Sequence, residues 1–230
     1  MEQIKEELTS QLENPTAFTI PIFDGIPVSQ SVVISWILIA LLALAAFLMT
    51  RHLRQEKPGR VQLVLEWFVE LINNMCQGNI GSHGRSFAPW LGTVALYIAV
   101  ANTCGLLGLT PPTKNLNVTL ALALTSVVLI YGAAFRFKGL KGGFHQFLEP
   151  VPVLLPINVM EVVIRPLSLC MRLFGNVLAA FVVMELVKLL VPAVLPAILS
   201  IYFDIFDGLI QTVVFVFLTA LFIGEALEES

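Results

Sequence analysis

Arg172 stands in the run Pro166-Leu167-Ser168-Leu169-Cys170-Met171-Arg172-Leu173-Phe174-Gly175-Asn176, with apolar sequence on both sides. A charge at bilayer depth costs about 2.5 to 3.5 kcal/mol on insertion scales, so an intramembrane ionisable residue reads as functional. Guanidinium cannot shed its proton to escape that cost, as a lysine ammonium can. On a helical wheel Asn158, Glu161, Arg165, Ser168, Arg172 and Asn176 share one face roughly 80° wide. Scattered polar residues would not line up in this way, so the face predicts a hydrophilic stripe presented to a cavity or a partner. Within it Glu161 and Arg165 are also spaced as i,i+4 ion-pair partners, which is the purely structural alternative for those two. Glu185 and Lys188 fall on the opposite side of the wheel and must meet a different environment. Further on, Ser200, Asp204, Asp207 and Gln211 make a second line within an arc of roughly 60°. The plainer reading of Asp204 and Asp207 is that they solvate a helix start near the membrane surface.

Two such lines suit ion translocation. Carboxylates exchange protons or bind small cations, whereas arginine does neither. A fixed arginine attracts a carboxylate on a passing partner, favours its ionised form and so makes it release its ion. The same charge repels cations and blocks a direct leak between an inward and an outward path.

The elements that carry these lines belong to a polytopic membrane protein. Of 230 residues 57% are hydrophobic and 13% charged, and the mean hydropathy of +0.86 is far above that of a soluble domain. The net charge of −3 and the lack of a long basic tract leave no electrostatic footprint for nucleic acid. Cys76, Cys104 and Cys170 are too scattered for a metal site or disulfide framework and read as small buried apolar residues. His52, His83 and His145 have no second ligand at useful spacing and read as surface histidines. No metal or cofactor is expected.

Residues 1–30 are mixed and acidic, with Pro15, Pro21 and Pro27 opposing a long helix, and are expected outside the membrane. Residues 31–50 give a first transmembrane helix, too long for a signal peptide and lacking its cationic start. Arg51, Arg54, Lys57 and Arg60 follow it; Arg136, Lys138 and Lys141 follow the apolar stretch Leu116 to Phe135. Both basic clusters predict cytoplasmic ends, so the N-terminus lies outside. Between them residues 61–77 read as an amphipathic helix flat on the cytoplasmic surface, with Val61, Val64, Leu65, Phe68, Leu71, Ile72 and Met75 on its apolar side. Residues 90–135 give a transmembrane pair, Trp90 to Leu109 and Leu116 to Phe135. Residues 150–227 form a long tilted or horizontal membrane-embedded hairpin that turns near 192–196, with the C-terminus cytoplasmic. The fold class is therefore all-α, in a single membrane domain. No long-period repeat is evident, which disfavours a self-contained transporter built from inverted repeats; a purely structural anchor is the other rival.

Arg172-Leu173-Phe174-Gly175-Asn176, preceded by Arg165-Pro166-Leu167-Ser168-Leu169, strongly resembles the signature of the F-type ATP synthase subunit a family. Pro58-Gly59-Arg60 with Glu66, Asn117-Val118-Thr119-Leu120, and Gln211 before Leu218-Thr219 match the family in order, so the resemblance covers nearly the whole chain. It implies a non-catalytic stator subunit of the F0 sector in a bacterial cell membrane. Two half-channels would lead protons or sodium ions to and from the carboxylates of a c-subunit ring. The implied partners are that ring, the peripheral-stalk b subunits, the remaining ATP synthase complex and the lipid bilayer. Phosphoryl transfer would belong to other subunits, and no phosphate-binding Gly-Lys-Ser/Thr loop is present. Arg172 falls on the family's essential arginine, and Asn176 and Gln211 on polar positions near it. Asp204 falls where a histidine or glutamate of the outer half-channel is common. Asp207, Glu161 and Ser168 join the expected ion pathway. The chain departs from the pattern at Phe181, where many members carry an acidic residue, with Glu185 as the nearest substitute. Lys188 beside Glu185, and Asn115 in place of an aspartate, are further departures.

Overall fold

A computed structural model describes residues 16–20, 26–51, 59–107, 109–145, 155–190 and 194–227. Five of its helical stretches are long and apolar enough to cross a membrane. Arg54, Lys57, Pro58 and the expected turn around Pro192 lie outside the described residues, as do 1–15 and 228–230.

The architecture is all-α apart from one short strand pair ahead of the first span. Strands β1 (Thr16–Ile20) and β2 (Ile26–Ser29) pair antiparallel, with an irregularity between Thr16 and Phe18. Prolines suppress helix here, and the β-branched and aromatic residues around them suit a strand pair. Helix α1 (Gln30–Thr50) follows β2 directly and matches the expected first span to within a residue. It touches the rest of the molecule on one side, where Leu38 packs with Ala101 and Cys104 and the Ser35 and Tyr97 hydroxyls lie 2.7 Å apart. Trp36, Ile37, Leu41, Leu44 and Phe47 are exposed, as befits a lipid-facing surface.

Helix α2 (Arg60–Ile80) and helix α3 (Gly84–Thr103) form a tight helical hairpin. Gly81 closes α2 in a left-handed conformation at φ 72° that other residues rarely adopt. The expected apolar side of α2 is only half correct. Near the turn Ile72, Cys76 and Ile80 are buried, in the core that also holds α3 and α7. At the far end Val61 and Val64 are exposed. Helix α3 also begins earlier than the apolar run at Trp90, taking in the polar turn Gly84-Arg85-Ser86, and passes at Cys104 into a 3₁₀ turn ending at Leu107.

A 3₁₀ turn, Pro112–Lys114, leads to helix α4 (Leu116–His145), which Asn115 starts by accepting the Asn117 N–H at 3.0 Å. Asn115 Nδ2 also donates to Ser29 Oγ at 2.9 Å, tying this turn to the start of α1. Gly139, at φ 73°, breaks α4 three residues beyond Arg136, so the helical residues run well past the expected Phe135.

Helix α5 (Leu155–Leu190) has 36 residues and is therefore about 54 Å long, against a hydrocarbon core of about 30 Å. Pro166 lies inside it without ending it. Helix α6 (Val194–Ser200), a π-helical segment (Ile201–Asp207) and helix α7 (Gly208–Leu227) make the return. Helix α5 packs mainly on α4, whereas α7 packs on α4, α3 and α2 alike, and the two arms touch each other little. The shared core is rich in small side chains, including Ala123, Ala133, Ala134, Cys170 and Ala220 around Leu169, Leu173, Phe215 and Ile223. Small residues let membrane helices approach closely enough for dispersion and packing to hold them.

Candidate functional site

Arg172 lies near the middle of α5, about 26 Å from its start. Leu169, Cys170 and Leu173 are buried, and they fix which side of α5 faces α4. Arg172 is left exposed on the other side. No hydrogen bond or ion pair to Arg172 is present among the described residues.

The stripe is divided rather than presented as one surface. Arg165 Nη2 donates to Glu161 Oε2 at 2.7 Å and lies 3.2 Å from Glu225 Oε2 of α7. Its guanidinium also sits 4.9 Å from the Phe222 ring centroid. Asn176 Nδ2 donates to Gln211 Oε1 of α7 at 2.7 Å. Ser168, like Arg172, is exposed. The wheel cannot distinguish these outcomes, because α7 skirts the edge of the stripe and takes only the residues within reach. The local ion pair expected of Glu161 and Arg165 is present, and Arg165 extends it to Glu225 of α7.

A cavity of about 540 Å³ opens beside the Asn176–Gln211 contact, lined by Asn102, Lys114, Glu185, Asp204, Asp207 and Gln211 among others. Gln211 is 3% exposed, and its Nε2 has no hydrogen-bond partner among the described residues. That buried donor lies on the wall of a polar cavity and suits an occupant such as water. Glu185 and Lys188, on the far side of α5 from Arg172 in the sequence reading, line this same cavity and pair at 2.8 Å.

The π-helical segment carries Asp204 and Asp207 into the cavity. Such segments concentrate at functional sites because they re-aim side chains within an otherwise helical run. Ser200 Oγ donates to Asp204 Oδ2 at 2.6 Å. At the end of the segment the Gly208 carbonyl accepts Asn102 Nδ2 at 3.3 Å, while Asn102 Oδ1 accepts Thr113 Oγ1 at 2.9 Å. A Cβ on Gly208 would come within 2.9 Å of Asn102 Cβ, so only glycine permits this approach. Gly105 is constrained still more closely, since a Cβ there would collide with the Asp204 carboxylate. Gly105→Ala would therefore force that carboxylate aside.

Lys114 was missed by sequence reasoning, as were Asn102, Gly105 and Thr113. Its Nζ lies 3.4 Å from the Phe181 ring centroid and the residue is only 7% exposed. Burial pushes its ammonium below the ordinary lysine range, and the negative charge of Glu185 opposes that shift. The available signal was the departure pattern itself: an apolar Phe181 in place of an acid, and a lysine next to Asn115.

The site comprises an exposed central arginine, a polar contact beside it and a carboxylate-lined cavity reaching that contact. The sequence model of the family described as ATP synthase A chain matches residues 32–224. The chain belongs to the ATP synthase A chain family. Like the family it is a multi-pass membrane protein of the F0 sector, a proton-translocating subunit that serves ATP synthesis. The matched stretch of this A chain runs from the first turn of α1 almost to the end of α7, and includes Arg172, Asn176, Gln211 and every polar residue of the cavity.

Proposed function

We propose that this chain is the stator half of the rotary ion path, with Arg172 facing the carboxylates of a c-subunit ring and the cavity serving as the outer half-channel. The observation that carries the reading is the pairing of an exposed arginine, without a protein partner among the described residues, with an acid-lined cavity one helical turn away. The cavity lies at the end of the bundle where α1 starts, close to Lys114 and Asn115. Arg51, Arg60 and Arg136 mark the opposite, basic end, which the positive-inside rule makes cytoplasmic. A proton enters from outside, passes Asp204 and Asp207 to the Asn176–Gln211 contact, and reaches a ring carboxylate. Arg172 keeps the departing carboxylate ionised as it crosses to the inner side, and its charge closes the direct route between the two sides. Glu185 takes part in the outer lining in place of an acid at Phe181. Ser168 lies on the ring-facing surface, and Glu161 with Arg165 borders the inner path. The exposed half of α2 and the apolar surface of α1 suit the membrane segments of peripheral-stalk b subunits.

The transmembrane potential supplies about 2.3 kcal/mol per charge per 100 mV. Forced transfer through the ring converts it to rotation. The test is a reversible lock. In the assembled complex, Ser168→Cys paired with a cysteine on the outer ring surface is expected to form a disulfide that stops ATP hydrolysis, with reduction restoring it. Full-yield crosslinking that leaves hydrolysis running, or no crosslink at any ring position, would sink the assignment.

A further inference from the structure

Around the cavity three carboxylates, Glu185, Asp204 and Asp207, face two ammoniums, Lys114 and Lys188. Lys188 is held on Glu185 at 2.8 Å. Lys114 comes from a separate element, the 3₁₀ turn between α3 and α4, and is buried with its Nζ on the face of Phe181. An aromatic face stabilises a cation that has lost its water, so Phe181 is a seat for this ammonium. The seat exists because the position holds a phenyl ring and no acid.

We propose that Lys114 is a specificity-determining residue of the cavity, its ammonium keeping sodium ions out of the carboxylate-lined space while leaving that space open to protons. The proposal rests on the reading of the cavity as the outer half-channel. A proton and a sodium ion bring the same charge and meet the same repulsion from Lys114. They differ in what binds them. A carboxylate alone holds a proton firmly enough for a reference pKa of about 3.9 for aspartate, whereas a hard metal ion needs several oxygen ligands at once. An equal electrostatic cost therefore leaves proton exchange running and empties the cavity of sodium. Lys188 also takes up a Glu185 oxygen that a metal ion would need. Without Lys114 three carboxylates would face one ammonium, and a cleft with excess charge of one sign concentrates counter-ions.

The experiment uses the whole ATP synthase complex in liposomes, with ATP-driven proton pumping followed at fixed pH in sodium chloride or in choline chloride at matched ionic strength. Wild type and Lys114→Arg, which keeps the charge, are expected to pump equally in both salts. Lys114→Gln is expected to be slowed about threefold or more by about 0.1 M sodium relative to choline. Lys114→Met, which retains the apolar stem against Phe181, carries the same expectation should the glutamine variant fail to assemble. Equal rates in the two salts for the neutral variants would overturn the proposal, as would sodium inhibition of wild type to the same degree. The ring is common to all variants, so its own selectivity cancels. Failure of the underlying path reading looks different: Asp204→Asn with Asp207→Asn would then pump at the wild-type rate in both salts.

Discussion

Arg172→Ala is expected to reduce ATP-driven proton pumping by at least about a hundredfold in membrane vesicles carrying the assembled complex, the factor that a loss of about 2.7 kcal/mol produces. The expectation follows from the position of the guanidinium, exposed mid-helix with no protein counter-charge among the described residues. In the proposed path the negative charge it serves is a carboxylate of the ring. An alanine there leaves the ring carboxylate protonated as it passes, so nothing forces release and nothing separates the two sides. A second readout follows: with the catalytic head removed, the variant is expected to leak protons passively in both directions. Arg172→Lys separates charge from geometry. Lysine restores a cation but can deprotonate when desolvated, so it is expected to recover only part of the coupling. Pumping by the alanine variant within a few fold of wild type would end the mechanism.

The second large effect is expected from Asp204→Asn combined with Asp207→Asn. An amide is close to a carboxylate in shape and keeps an acceptor for the Ser200 hydroxyl, so assembly is expected to be unchanged. It cannot exchange a proton at neutral pH, and positioned acid–base groups typically contribute factors of 10² to 10⁴. Water in a cavity of about 540 Å³ offers a parallel route, which sets the expected loss in pumping at about tenfold. Either single substitution is expected to cost less, because the remaining carboxylate still lies on the path. The measurement is initial pumping rate per complex. An unchanged rate in the double variant would show that these two carboxylates do not relay protons.

The long apolar stretches, the intramembrane polar residues and the motif around Arg172 were all legible in the sequence, because a bilayer permits few explanations for a charge within an apolar run. The helix starts were less so. Gly84-Arg85-Ser86 reads as a loop by polarity, yet it forms the first turn of α3 where Gly81 reverses the chain. The wheel identified the stripe but not its division, since a projection of one helix carries no information about where α7 runs. For the same reason Glu185 and Lys188 read as outliers. The cavity that gathers them with Asp204 and Asp207 is walled by α3, the 3₁₀ turn carrying Lys114, α5, the π-helical segment and α7 together. Lys114 was invisible because its role depends on reaching from one loop to an aromatic ring on another helix.

The bonds on either side of Arg172 bear on the mechanics of the motor. Arg165 is held to Glu225 at 3.2 Å and Asn176 to Gln211 at 2.7 Å, one brace on each side of the central arginine and both anchored in α7. In the proposed path a ring driven past this surface would exert a sideways load on α5, and a cylinder pinned at one point would roll under it. Pinned at two points to a neighbour that itself packs on α4, α5 would resist rolling, and the load would pass into the whole bundle instead of being lost in the twisting of a single helix.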